Sequence, residues 1–180
     1  MSVYYNSINK ERIKFLKTAK ETNGYYSEIE VKLAPGGGNP VHFHKRFTEH
    51  FYAINGELGL HYNGREIILE EGAEFAVSPM NDHRFYNPNG TKSIIFKTKI
   101  IPGNTDFENF LKTQFGLVND SKTFGKLQIP KNAFYLAVLL KWGDIQSDTL
   151  AYKLGKPFIN VGFKFAQLLG LEEKLKEKYC

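Results

Sequence analysis

The chain has 180 residues, of which 42% are hydrophobic and 14% aromatic, and its formal net charge at pH 7 is +5. This length and composition suit one folded domain, with or without an extension, and exclude a disordered chain. The single cysteine, Cys180, excludes a disulfide within the chain. Residues 1–20 lack the apolar segment of a signal peptide, and we expect a cytoplasmic protein.

The positive charge is dispersed along the chain rather than gathered in one stripe. In the C-terminal tail, Lys174, Lys176 and Lys178 alternate with acidic residues, as expected of a solvated helix face. A nucleic-acid surface would combine clustered basic residues with interleaved aromatics, and the sequence has no such pattern. We therefore predict no nucleic-acid partner and no membrane partner.

The first part of the sequence, up to about residue 101, has the periodicity of β-strands. Polar and apolar residues alternate in Glu11–Phe15 and in Tyr25–Leu33, as in strands with one buried face. Asn63-Gly64, between Leu58–Tyr62 and Glu66–Leu69, is a strong hairpin signal. Further strands are expected at residues 42–44, 49–54 and 93–101. Turn signals about ten residues apart predict an antiparallel sandwich or barrel.

The second part of the sequence, from about residue 105, has the periodicity of amphipathic helices. Three helices are predicted, each between a starting signal and a glycine: Thr105 to Gly116, Pro130 to Gly143 and Pro157 to Gly170. Three such helices cannot bury their apolar faces alone. We therefore expect a β-barrel with N-terminal strands at residues 1–102, and a helical extension at 103–180 that packs on the barrel and is not independent.

Two histidines alternate with a phenylalanine in His42-Phe43-His44. Successive strand side chains point to opposite faces, so both imidazoles point the same way, with Cα atoms roughly 6–7 Å apart. Both rings can then reach one ion at about 2.1 Å. Glu49 begins the next predicted strand and returns to the same pocket if residues 45–48 turn the chain. Two imidazoles and one carboxylate suit Fe(II), Mn, Ni, Co or Zn.

His83 begins another predicted strand, after a break at Ser78-Pro79. A barrel brings together strands that are distant in sequence, so His83 is a candidate fourth ligand. The remaining histidines, His50 and His61, are expected at the surface or at an interface. By alternation His50 points away from the face of Glu49, and His61 lies beside the predicted hairpin turn.

Residues 36–56 and 72–87 resemble the two sequence motifs of the cupin superfamily. The matching residues are Gly36, His42, His44, Glu49 and Gly56 in the first motif, and Gly72, His83 and Asn87 in the second. The proline and glycine positions of the second motif hold Ser78 and Met80 instead. The resemblance implies a double-stranded β-helix, the cupin jelly-roll barrel, with a C-terminal α-helical extension. It also implies that His42, His44, Glu49 and His83 hold one divalent metal ion in the barrel mouth.

Three residues are candidate walls of a small-molecule pocket next to these ligands. Phe51 and Ala53 share the predicted face of Glu49, and Phe85 shares that of His83. Plain core packing is the alternative for all three. Glu49 itself is either a ligand throughout or a catalytic base that detaches and takes a proton.

Four protein ligands leave up to two positions open on an octahedral ion, and an open position is typical of a catalytic site. The favoured hypothesis is a metal-dependent oxidoreductase of the dioxygenase type, because the phenylalanine-rich surroundings suit an apolar or aromatic substrate. An isomerase or epimerase, a non-catalytic small-molecule-binding or sensing cupin, and a purely structural barrel are the alternatives. The resemblance and the surplus of apolar residues also predict a homodimer.

Overall fold

The computed structural model describes residues 3–180. The N-terminal part of this range consists of strands and the C-terminal part is mainly helical, as the sequence predicts. The chain divides into two units between Thr105 and Asp106. The packing of the helical residues on the β-domain stays a prediction. Between residues 3 and 180, no helix is long and apolar enough to cross a membrane.

The described part of the first unit consists of two antiparallel sheets. Its strands are β1 Val3–Asn6, β2 Glu11–Lys17, β3 Ser27–Leu33, β4 Thr48–Asn55, β5 Leu58–Tyr62, β6 Arg65–Leu69, β7 Glu74–Val77, β8 His83–Tyr86 and β9 Ile94–Ile101. One sheet has the order β1-β2-β3-β9-β4-β7, and the other has the order β6-β5-β8. This is the two-sheet jelly-roll arrangement that the resemblance implies, while closure into a barrel stays a prediction.

Alternation in β3 shows why its register is fixed. Ile29, Val31 and Leu33 are buried, whereas Glu30 and Lys32 between them reach solvent. A slip of one residue against β9 would turn all three apolar side chains towards water. Each such burial contributes roughly 1.5–3 kcal/mol, so the register that buries them is strongly preferred.

The predicted hairpin at Asn63-Gly64 is confirmed. Tyr62 pairs with Arg65 across the turn, which leaves two residues in the loop. Both loop residues have positive φ, 47° for Asn63 and 82° for Gly64. Asparagine and glycine tolerate this conformation at low cost, and its twist matches that of the flanking strands.

The second unit contains four helices in its described residues, one more than the sequence predicts. They are α1 Thr105–Asn119, α2 Ala133–Trp142, α3 Leu150–Leu168 and α4 Leu171–Tyr179, and a two-stranded ribbon of β10 Thr123–Phe124 and β11 Ile129–Pro130 lies between α1 and α2. Gly143 ends α2 as predicted, although the helix begins after Asn132, whose side chain accepts hydrogen bonds from the amides of Phe134 and Tyr135.

Besides the start at Pro130, two predicted helix bounds are wrong. Gly116 lies inside α1, where a Cβ atom would fall 2.2 Å from the Tyr179 ring, so this glycine permits close packing rather than ending the helix. Pro157 lies inside α3, which begins at Leu150 after the N-cap Thr149. The Thr149 hydroxyl accepts a hydrogen bond from the amide of Tyr152, and this cap marks the start of the helix well before Pro157.

The helices of the second unit bury one apolar cluster. Its buried members are Leu117, Val138, Leu139, Trp142, Ala166 and Leu175. The Trp142 indole nitrogen also donates a hydrogen bond to Glu172 at 2.8 Å, so the aromatic body is buried while its polar atom keeps a partner.

Glu11, at the start of β2, is a buried carboxyl group whose protonation should set part of the pH dependence of folding. Burial raises the pKa of Glu11 from 4.5 to about 7, against a smaller lowering by a hydrogen bond from Asn9. As the pH rises, Glu11 therefore loses its proton at a lower pH in the unfolded chain than in the folded chain. The contribution of the protonated Glu11 carboxyl to the stability of the fold is fully present below about pH 4.5 and is lost as the pH rises through 7.

We expect Glu11→Gln to raise the free energy of unfolding at pH 8 by on the order of 2–3 kcal/mol, and to change it little at pH 4.5. Urea unfolding at the two pH values measures the difference. Glu57→Gln removes a carboxylate at an exposed position and is the matched control. Equal gains for Glu11→Gln at both pH values would contradict the prediction.

Candidate metal centre

Two backbone hydrogen bonds join the segments that carry the candidate ligands. The amide of His42 donates to the carbonyl of His83 at 3.0 Å, and the amide of His83 donates to the carbonyl of His42 at 2.8 Å. His42–His44 is therefore held by an isolated β-bridge rather than by the regular strand that the sequence predicts. The amide of Met80 adds a third bond, to the carbonyl of His44 at 2.8 Å.

The four predicted ligands come together in the first unit. One donor atom from each of His42, His44, Glu49 and His83 lies within 4.8 Å of all the others. Nε2 of His42 and Nε2 of His44 are 3.0 Å apart, and Nε2 of His83 is 2.8 Å from a carboxylate oxygen of Glu49. The same oxygen is 3.7 Å from Nε2 of His44. His44, Glu49 and His83 are buried, and His42 is partly exposed.

Backbone carbonyls orient two of the three imidazole rings. Nδ1 of His42 lies 2.9 Å from the carbonyl oxygen of Pro40, and Nδ1 of His83 lies 2.9 Å from that of Asn81. A carbonyl can only accept, so each Nδ1 carries a proton, and Nε2 is the nitrogen through which each ring can bind an ion. Such a bond on the far nitrogen is typical of histidines that bind a metal.

The charges in the cluster also suit a cation. Partial desolvation of its ring within the cluster, together with neighbouring His44 and His83, lowers the pKa of His42 to about 3, so the ring is neutral at pH 7. Burial alone would raise the pKa of Glu49, but the hydrogen bond from His83 and the nearby imidazoles lower it to about 2. The pKa of His83 is raised despite its burial, because it shares a proton with the Glu49 carboxylate.

The donor set fits a divalent ion of the first transition series. Two adjacent ligand atoms that bind an octahedral ion at about 2.1 Å lie about 3.0 Å apart. The Glu49 oxygen lies 2.8 Å from Nε2 of His83 and 3.7 Å from Nε2 of His44, and the two Nε2 atoms of His42 and His44 are 3.0 Å apart, so the distances in the cluster are close to this value. A cation would take the place of the proton between His83 and Glu49, as metal binding requires. Three neutral imidazoles and one carboxylate suit Fe, Mn, Ni, Co or Zn.

The predicted pocket residues differ in exposure. Phe51 and Ala53 are buried, and Phe85 is partly exposed. Phe51, Phe85 and Phe96 form one aromatic cluster with ring centroids 5.0–6.2 Å apart, and the Phe51 ring also lies 6.4 Å from that of His83. Contact of Phe51, Ala53 and Phe85 with a bound molecule stays a prediction, and Phe85 has the most exposed surface to offer.

Phe47 is a residue of the site that the sequence motifs do not predict. Its buried ring lies 4.4 Å from that of His44 and covers one side of the cluster. Phe47 belongs to residues 45–48, the connecting segment between the predicted ligands His44 and Glu49. Its position as the single aromatic residue between His44 and Glu49 is the signal that could have identified it.

A buried hydroxyl group lies on the same inner sheet face as Glu49. Thr98 of β9 pairs with Phe51 of β4, and Ile100, two residues further along β9, pairs with Glu49. Within residues 3–180, Thr98 Oγ1 is the buried side-chain polar atom that has no hydrogen-bond partner. A buried hydroxyl without a partner is costly, so a water molecule or a bound ligand is the expected partner.

His50 and His61 lie outside the cluster, as predicted. Nδ1 of His50 is 2.9 Å from the Tyr52 hydroxyl, and Nδ1 of His61 is 2.9 Å from a carboxylate oxygen of Glu66. Both rings are partly exposed. These contacts join neighbouring side chains on the outer faces of the two sheets.

The second motif is held by local backbone interactions. Asn87 is buried, and the nitrogen of its side-chain amide donates hydrogen bonds to the backbone carbonyls of Leu33 and Lys92 at 3.1 and 2.9 Å. Met80 occupies the glycine position of the motif and has a φ of 69°, in the left-handed region that favours glycine. The substitution of glycine by methionine thus preserves the backbone turn at the expense of strain.

Two antiparallel sheets around a cluster of three histidines and one glutamate define a β-domain of the jelly-roll class with a metal-type ligand set. Residues 29–96 match the family model described as the cupin domain. These residues therefore form a cupin domain, as their two motifs indicate.

The chain is also similar to individual known proteins. It is 27% identical over 90 residues to a protein of Hypocrea virens named "Probable oxidoreductase virH", and the match spans 47% of this chain and 41% of that relative. The solved structure of KdgF from a Halomonas species superposes with a TM-score of 0.50 at 16% identity, over 57% of this chain and 90% of KdgF. The structure of an RmlC-like cupin from Shewanella frigidimarina has a TM-score of 0.49 at 22% identity, and the superposition covers 58% of this chain and 86% of that protein.

We expect Met80→Gly to stabilise the protein by about 1 kcal/mol, because glycine adopts this φ without the strain of a Cβ atom. The Met80 side chain is 62% exposed, so its removal forfeits little packing. Urea unfolding measures the gain. Met80→Ala removes the same side chain but keeps the Cβ atom, and a gain of equal size in this variant would contradict the explanation by strain.

Proposed function

We propose that this chain is a metal-dependent cupin that binds one divalent cation and a small molecule, and that it acts as an oxidoreductase of the dioxygenase type. The observation that carries the proposal is the convergence of four donor atoms, from His42, His44, Glu49 and His83, within 4.8 Å. The name of the Hypocrea virens relative supports the oxidoreductase assignment, although the match covers less than half of that protein.

Each of the four residues has a definable task in such a site. His42, His44 and His83 would bind the ion through Nε2, and the carbonyls of Pro40 and Asn81 fix the orientation of two of these rings. Glu49 supplies a negative charge that offsets part of the charge of the ion. A bound divalent ion supplies a Lewis acid, and iron in particular supplies reactivity towards dioxygen.

The low pKa of Glu49 favours its role as a ligand over a role as a base. A general base works best when its pKa lies near the working pH, and a carboxyl with a pKa of about 2 holds a proton weakly. A proton-transfer reaction such as isomerisation would have to use a stronger base. A base role for Glu49 stays a prediction, and an isomerase or epimerase stays the alternative function.

The surroundings of the cluster favour an apolar or aromatic small molecule with at least one polar group. Phe47 and Phe51 are buried aromatic rings next to His44 and His83, and Phe85 offers a partly exposed ring. Thr98 Oγ1 is a hydrogen-bonding group without a protein partner. We propose Phe51, Ala53 and Phe85 as pocket walls and Thr98 as a polar contact, and we expect no nucleic-acid or membrane partner.

The metal site is tested by His83→Ala. We expect wild-type protein to bind one Zn(II) or Ni(II) ion per chain, and the variant to bind it about 100-fold more weakly, because one of four donors is lost. Isothermal titration measures affinity and stoichiometry, with circular dichroism as the check on folding. His61→Ala is the matched control, since His61 contacts Glu66 on the outer face. Equal affinities in all three proteins would contradict the proposed site.

The reaction is tested separately from metal binding. Protein stripped of metal is reloaded without oxygen with Fe(II), Mn(II), Ni(II) or Zn(II), and oxygen uptake is followed with a panel of catecholic and enolisable compounds. We expect oxygen consumption that requires iron, and none with zinc. No turnover with any ion at full occupancy would exclude the oxidoreductase, whereas ligand-dependent thermal stabilisation without turnover would favour the binding or sensing function.

A further inference from the structure

Helix α3 carries large apolar side chains on two opposite faces. One face packs into the apolar cluster of the second unit, where Ala166 is fully buried and Phe163 lies against it. The opposite face is also apolar but exposed. We call this second face the α3 stripe; its members and their exposed fractions are Leu150 72%, Leu154 66%, Phe158 79%, Val161 54%, Phe165 52% and Leu168 82%.

The α3 stripe exposes more apolar surface than a monomer usually leaves to water. A helix at the surface of a monomer normally has a polar outer face. An aromatic side chain has roughly 150–250 Å² of surface, so six large side chains exposed by half or more present on the order of 700 Å². Monomers rarely leave a patch beyond roughly 300–600 Å², and one side of a standard protein interface is about 800 Å².

The spacing of the α3 stripe is that of a helix that pairs with another helix. Phe158 and Phe165 are one heptad apart, and Leu154, Val161 and Leu168 form a second heptad series three or four residues away. Apolar residues alternating at spacings of three and four produce a narrow seam that meets one partner helix. A helix lying in a lipid surface instead presents a broad apolar face.

We propose that the α3 stripe is the interface of a homodimer, in which α3 of a second copy packs against it antiparallel. In this orientation the two heptad series face each other across the two-fold axis, so Phe158 and Phe165 of one copy meet aliphatic residues of the other. A parallel pair would stack phenylalanine on phenylalanine and leave gaps beside Val161. An interface of one surface with itself closes at two copies.

Light scattering of the full chain tests this proposal. We expect a particle of twice the monomer mass of 20.6 kDa at about 20 µM protein. Phe158→Glu with Phe165→Glu should raise the dissociation constant at least about 100-fold and give a monomer, because four charges would be buried against aliphatic side chains without a partner of opposite charge. Asn160→Glu with Gln167→Glu is the matched control. These two exposed residues lie on the same helix with the same spacing, and their substitution adds the same number of negative charges outside the α3 stripe.

Circular dichroism verifies that each variant is folded, and Leu154→Gln with Val161→Gln offers a milder second test that should also weaken the dimer. Three results would overturn the proposal: a wild-type monomer at about 100 µM, a dimer that survives the stripe substitutions, or equal weakening by the control pair. A monomer that co-sediments with anionic lipid vesicles would instead assign the stripe to a membrane surface. If the wild-type protein is a monomer and the stripe substitutions lower its stability, the α3 stripe is instead in contact with another part of the same chain.

Discussion

The reciprocal backbone hydrogen bonds between His42 and His83 are the interaction on which the candidate site depends. The two residues come from separate motifs, and each donates its amide to the other's carbonyl. This pairing fixes the distance between two imidazole rings before any ion arrives. Glu49 is placed independently, by the register of β4 against β9 and β7. The site is therefore built from the same hydrogen bonds that hold the sheets together.

A site built in this way needs little rearrangement to bind an ion. Pro40 and Asn81 hold Nδ1 of two rings, so Nε2 of each ring is already directed towards the other ligands. Burial keeps His42 neutral, and its neighbours keep Glu49 ionised. Ligands that are already oriented lose less conformational entropy on binding. The proposed chemistry thus starts from a site that the protein prepares without the metal.

The sequence predicts the strands, the hairpin and the four clustered residues, because each follows from local periodicity or from a motif with fixed spacing. It fails where a distant contact decides. Gly116 is needed for the Tyr179 ring, which no local pattern reveals. The start of α3 is a different case, because the local N-cap Thr149 marks it and Pro157 lies inside the helix. The carbonyls that orient the histidines carry no side-chain signal at all. The strain at Met80 could be suspected from the motif, but only the backbone angle shows it.

The cluster offers only imidazole nitrogens and carboxylate oxygens, and this composition has a consequence for how the protein would acquire its ion. Donors of this kind bind several divalent transition metals in the Irving–Williams order and contain no thiolate to select a soft ion. Intrinsic affinity would then favour copper or nickel over iron or manganese. The resident ion would be decided by cellular supply, so the metal content of the isolated protein would depend on the growth medium of its host.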